Sequence, residues 1–244
     1  MRCVHCGNEI ADETRDHVFP ASWYPSTTPP EIQWWTVPSC RKCNGSFGKM
    51  ERELFIRLAM CMDPRRGEAA GLSARAVRSM GIGAEGISLR ERLHRRALKL
   101  KILGSMWRYK PGTETLPGFG PHPGFPEHEQ MAVSIPAKLL EQVARKIVRG
   151  CEYRLAEQRL VEAPYQVRVY FVHQGNVPAN VVQAFQSRGA RTTHLGPGFR
   201  VTRVPAHDEP GSVMYEIVVW GTLVIYGAIL PEEAQPGEHG GERD

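Results

Sequence analysis

Apolar positions along this chain recur with two different periods. Phe47, Met50, Leu54, Phe55, Leu58 and Cys61 fall on one helical face and predict a helix over residues 44–62, stopped at Asp63-Pro64. Ser88-x-x-Glu91 is a capping box, and Leu89, Leu93, Ala97, Leu100 and Leu103, with Ile102, predict the buried side of a helix running to about residue 103. A third helix opens at Ile135-Pro136, where proline is tolerated in the first turn. It carries Leu139, Leu140, Val143, Ile147, Val148, Cys151 and Leu155 at the 3.6 period to about Leu160. Beyond it the period falls to two. Residues 165–173, 199–204, 213–219 and 223–230 read as strands, the last two joined at Trp220-Gly221-Thr222. A short helix near 178–187 is stopped by Gly189. The predicted fold class is α+β, with a mainly antiparallel sheet in the C-terminal half.

Proline and glycine punctuate this pattern. Pro20, Pro25, Pro29, Pro30 and Pro38 exclude a long helix between residues 20 and 38, and Val18-Phe19-Pro20 suits a short strand. Trp23, Tyr24, Trp34 and Trp35 lie in that loop, placed either to stack on bases or to supply core to a small unit. Residues 63–86 are rich in Gly, Ala and Arg, with a helical turn at 73–78. Residues 110–130 hold five Pro and four Gly and read as a linker or ordered loop. The expected organisation is a unit at 1–62, a basic helical segment at 63–110, a linker at 111–130, an α+β domain at 131–230 and a polar, disordered tail at 231–244.

Net charge is +5, unevenly spread: residues 41–110 carry 17 Lys+Arg against 6 Asp+Glu. Such a block is either a solvated helix face or a surface for a phosphate backbone. No apolar run approaches the roughly 18 residues of a membrane span, and Met1-Arg2-Cys3 leads into no apolar leader stretch, so a cytoplasmic protein is expected.

Four of six cysteines form two close pairs, Cys3-Val4-His5-Cys6 and Cys40-Arg41-Lys42-Cys43, while Cys61 and Cys151 fall on apolar helix faces. Four thiolates at these spacings suit tetrahedral zinc, which would supply folding energy to a segment too short to bury a core. A redox role is the lesser reading, since neither pair follows a strand into a βαβ unit. Asp16-His17-Val18-Phe19-Pro20 lies between the pairs and Asn44 follows the last cysteine.

In that order and spacing, residues 3–58 resemble the HNH endonucleases, the ββα-metal nuclease fold, in their zinc-stapled variety. The resemblance implies structural Zn²⁺ on Cys3, Cys6, Cys40 and Cys43. It implies His17 as the general base that activates water, with Asp16 and Asn44 holding a catalytic Mg²⁺ or Mn²⁺. Double-stranded DNA is the implied substrate, gripped by Arg41, Lys42, Lys49, Arg92, Arg95, Arg96 and Lys99. The resemblance does not reach the C-terminal domain, whose expected duty is to select the target, form a homodimer or sense a partner. The family's middle Asn is replaced by Trp35, leaving Gln33, Thr36 or a backbone carbonyl to orient the imidazole, and Glu51 is read as a further carboxylate or a solvated helix residue. The rival reading is a zinc knuckle that binds nucleic acid without cutting it; a zinc-stabilised protein-interaction module is a third.

Overall fold

The computed structural model describes residues 1–81, 86–122, 124–171, 177, 179–185, 190–206 and 209–232. The chain opens as a knuckle in which Gly7 N–H returns to the Cys3 carbonyl (2.8 Å) and Cys3 N–H reaches Asn8 (2.9 Å). Gly7 makes this turn at φ 74°, a conformation glycine adopts without a Cβ penalty. The first strand, β1 (Glu13–His17), pairs antiparallel with β2 (Thr36–Cys40), setting Asp16 opposite Val37 and His17 opposite Thr36. The strand predicted at Val18-Phe19-Pro20 is thus displaced: β1 ends at His17, and Val18 and Phe19 are buried just beyond it. Its residues are polar and have little strand propensity, so hairpin pairing and the adjoining knuckle hold it extended.

Cys40 ends β2 and caps α1 (Arg41–Ala59), its sulfur accepting the Cys43 N–H at 3.4 Å. The helix therefore starts three residues earlier than the apolar spacing predicts, and Asn44 lies in its first turn. Two helices follow, α2 (Leu72–Met80) and α3 (Leu89–Leu103). On α3 the predicted burial holds for Ile102 and fails for the leucines named with it. Leu89, Leu93, Leu100 and Leu103 are exposed, whereas Leu98 and Ile102 reach the core. Polar ties explain the rotation: Arg52 to Glu91 (2.9 Å) and Lys101 to Glu53 (2.7 Å) hold the opposite arc of α3 against α1.

Residues 111–130 connect β3 (Met106–Arg108) to β4 (Met131–Val133), which pair antiparallel with Trp107 opposite Ala132. After them α4 (Ala137–Leu155) buries the predicted stripe of Leu139, Leu140, Val143, Ile147, Val148 and Cys151. Strand β5 (Tyr165–Phe171) is followed by a short helix, α5 (Ala179–Ala184), then β6 (Arg191–His194), β7 (Arg200–Pro205), β8 (Val213–Val219) and β9 (Leu223–Pro231). These strands form one antiparallel sheet in the order β5-β9-β8-β7-β6, as the alternating pattern predicts, with β6 unforeseen. The predicted strand end at 172–173, the ends of the predicted 178–187 helix, Gly189, and the tail from 233 lie outside the described residues.

Helix α4 lies between the hairpin and the sheet. A Cβ at Gly150 would meet Val18 Cγ2 at 2.8 Å, and one at Gly227 of β9 would strike Val148. One core cluster runs from Val4 to Ile229, riveted where Trp23 and Trp220 meet at 5.0 Å between ring centroids.

Candidate functional site

Cys3, Cys6, Cys40 and Cys43 form a cluster that can chelate a metal ion. Their sulfurs all lie within 4.8 Å of one another, with Cys6 and Cys40 at 4.0 Å. Zinc–sulfur bonds of about 2.3 Å in a tetrahedron need sulfurs about 3.8 Å apart, so the donor set and spacing fit Zn²⁺. Burial raises the Cys3 thiol, but the backbone N–H groups of Cys40, Cys6 and His5 outweigh it and bring it down to about 6. Cys43 moves upward through burial, the Cys40 side chain and the Cys3 charge. The Cys3 thiolate forms readily and discourages those of Cys6 and Cys43, which is the arrangement a divalent cation resolves. Each cysteine occupies a defined local position: two flank the first knuckle, one ends β2 and one sits in the first turn of α1.

A second cluster lies beside it. Asp16 and Thr14 share one face of β1 by strand alternation. Asn44 Nδ2 donates to Thr14 Oγ1 at 3.0 Å, so α1 covers that face. Asp16 itself is 4% exposed. His5 Nε2 lies 2.8 Å from its Oδ2, and Lys146 Nζ of α4 lies 3.3 Å from its Oδ1. Lys146 also pairs with Glu51 of α1 at 2.6 Å and donates to the carbonyls of His17 and of Val18, the latter at 3.3 Å. Burial raises Asp16, yet the His5 hydrogen bond and the Lys146 charge prevail and hold its carboxyl below the usual range. Glu51 goes the other way, raised by burial against the pull of Lys146.

His17 points to the opposite face of β1 from Asp16. Its ring meets Trp34 edge-on at 5.5 Å, Trp34 stacks on Tyr24 at 5.8 Å, and Tyr24 stacks on Phe199 at 4.6 Å. The loop aromatics therefore build core, apart from Trp34, which is 47% exposed. The Trp35 carbonyl accepts the Val18 N–H at 2.8 Å, fixing the end of β1 rather than an imidazole nitrogen.

Asp16 and Asn44 are thus brought to one face and His17 is not. Nor do these residues, as placed, fit a divalent ion: both Asp16 oxygens are engaged and an ammonium already stands against the carboxylate. His5 and Lys146 are the members of this cluster that the sequence pattern does not reveal. A lysine among Val143, Ile147 and Gly150 on a buried helical face needs an anionic partner, and that was the available signal.

Burial lowers the pKa of His5 and of His17, opposed in each by the neighbouring Asp16. Below about pH 6.5 the unfolded chain therefore takes up protons that the folded chain resists, and folding weakens as pH falls. Asp16, with its lowered pKa, stays ionised in this window and adds nothing to the slope, and Glu51, raised by burial, opposes the two imidazoles. The zinc-loaded protein is expected to melt at a lower temperature at pH 5.5 than at pH 7.5, with a smaller drop in His17→Asn. Calorimetry showing equal drops would remove His17 from this account.

Of the predicted phosphate-binding cations, Arg41, Lys42, Lys49, Arg92, Arg96 and Lys99 are exposed and, among the described residues, make no ion pair or hydrogen bond. Arg95 differs, its guanidinium held by Glu91 at 2.9 Å. No helix among the described residues is long and apolar enough to cross a membrane. Comparison with protein-family models, with curated proteins and with solved structures finds no match to this chain.

Proposed function

We propose that this chain binds nucleic acid through a zinc-stapled unit of HNH type, with the exposed cations of α1 and α3 set against the phosphate backbone. The observation that carries this reading is how the basic groups are sorted. Arg52, Arg57, Arg95 and Lys101 are consumed by Glu53 and Glu91, while seven others on the same two helices, Arg90 added to the six above, are exposed and unpaired among the described residues. Unpaired cations on rigid helices bind a polyanion by releasing its counterions and lose little side-chain pairing in doing so. Arg41 and Lys42 also adjoin a zinc–tetrathiolate site of charge −2, which they offset. The cations of α3 have no such neighbour.

Fluorescence anisotropy with a labelled duplex of about 20 base pairs tests this. Binding should be tight at low salt, indifferent to sequence, and steeply weakened by salt. Replacing Arg92, Arg96 and Lys99 together by alanine should reduce the log–log salt slope by as much as about 3. A chain that fails to bind duplex at 50 mM salt, or a triple variant with an unchanged slope, would refute the proposal.

Phosphodiester hydrolysis is the second reading, with His17 as general base. It is favoured by the half-buried, neutral imidazole at the end of β1 beside exposed Trp34. The same preparation incubated with supercoiled plasmid and Mg²⁺ or Mn²⁺ separates the two: binding without nicking supports the first reading, and nicking abolished by His17→Ala supports the second.

A further inference from the structure

Among the described residues, Lys146 is the one fully buried cation that faces the N-terminal unit from the C-terminal half. Its side chain is 0% exposed. Four oxygens surround its ammonium: Asp16 Oδ1 at 3.3 Å, Glu51 Oε1 at 2.6 Å, Val18 O at 3.3 Å and His17 O. Oxygen-only coordination with two carboxylates is the chemistry of hard divalent cations, which bind at about 2.1 to 2.5 Å. Here the same oxygens stand at hydrogen-bond distance around a nitrogen. Asp16 is further braced by His5, whose ring packs edge-on against Phe47 at 4.8 Å.

We propose that Lys146 is a built-in counter-ion: its ammonium occupies the oxygen-lined position between β1 and α1 and keeps that position free of divalent metal. The physical grounds are steric and electrostatic together. A dication entering beside a buried ammonium would meet a like charge at contact in a region that water does not screen. It would find Asp16 with both oxygens already engaged. Removing the ammonium reverses the balance, leaving two carboxylates and two carbonyls around a vacated space with no positive charge. Because two elements of the N-terminal unit and one helix of the C-terminal half meet at this nitrogen, the lysine also ties the ion content of one part to the docking of the other. The inference concerns the ion alone, and the outcome of the duplex-binding measurement above does not bear on it.

Manganese serves as the probe, added to the full-length, zinc-loaded protein, with free Mn²⁺ counted by electron paramagnetic resonance. The wild-type chain is expected to bind no Mn²⁺ at micromolar concentration. Lys146→Ala is expected to bind one per chain, and Lys146→Ala with Glu51→Gln is expected to lose it. A wild-type site whose Mn²⁺ disappears in Asp16→Asn would overturn the proposal, as would a folded, zinc-replete Lys146→Ala that takes up none. Should Lys146→Ala be too unstable to purify without added metal, it is refolded and melted with and without Mn²⁺. A rise of about 5 °C or more with Mn²⁺ supports the proposal, and no rise overturns it.

Discussion

Replacing Cys40 by serine is expected to unfold the N-terminal unit and to lower zinc content from one ion per chain to near none. Cys40 contributes at three levels: a metal thiolate, the last residue of β2, and the cap whose sulfur accepts the Cys43 N–H. Structural zinc in small units carries apparent binding energies of about 10 to 16 kcal/mol, as large as the whole stability of an ordinary domain, about 5 to 15 kcal/mol. The strand Glu13–His17 itself contributes no apolar residue to the core. Far-ultraviolet circular dichroism, limited proteolysis and metal analysis of the variant should all change together. Retention of the wild-type melt with zinc absent would show that packing against α4 suffices, and would remove the staple from the account of folding.

Trp220→Ala is expected to lower the melting temperature by about 10 °C, from the roughly 3 to 5 kcal/mol lost on truncating a buried Trp. The side chain is 0% exposed, packs on Trp23 at 5.0 Å and Phe55 at 6.4 Å, and donates its indole N–H to the Trp23 carbonyl at 2.6 Å. It projects from the β8–β9 turn into the N-terminal unit, so its loss should loosen one part from the other and expose Trp23 to solvent. Trp107→Ala, at a ring 42% exposed, is the control, with a change within about 0.5 kcal/mol. Calorimetry at saturating zinc distinguishes the two. Equal small effects would mean that the two parts fold independently.

What could be read from the chain and what could not divide along sequence separation. The metal cluster is carried by two tight pairs, and α1, α4 and the antiparallel sheet by local periods, so each shows in a short window. Strand β1 does not: Glu13, Thr14, Arg15, Asp16 and His17 carry no alternating apolar signal, and β2 imposes its extension. Helix α3 offered an apolar arc of leucines that faces solvent, because contacts with α1 selected the arc of Ile102, which was foreseen, and Leu98, which was not. Nor do three-residue strands such as β3 and β4, separated by a loop rich in Pro and Gly, rise above the noise of local propensity. The charges on Asp16 and Glu51 are met by a residue more than ninety positions away. Reading Asp16 as an open metal ligand followed its neighbours in sequence, whereas its neighbours in space are His5 and Lys146.

The placement of α4 between hairpin and sheet bears on any attempt to isolate the N-terminal part. A fragment ending before residue 137 would keep its sulfur ligands and lose the ammonium that neutralises its two inward carboxylates. It would also lay bare the side of Val18 that rests against Gly150. Such a fragment would carry an open, ion-hungry pocket, and chemistry measured on it would belong to the fragment rather than to the intact chain.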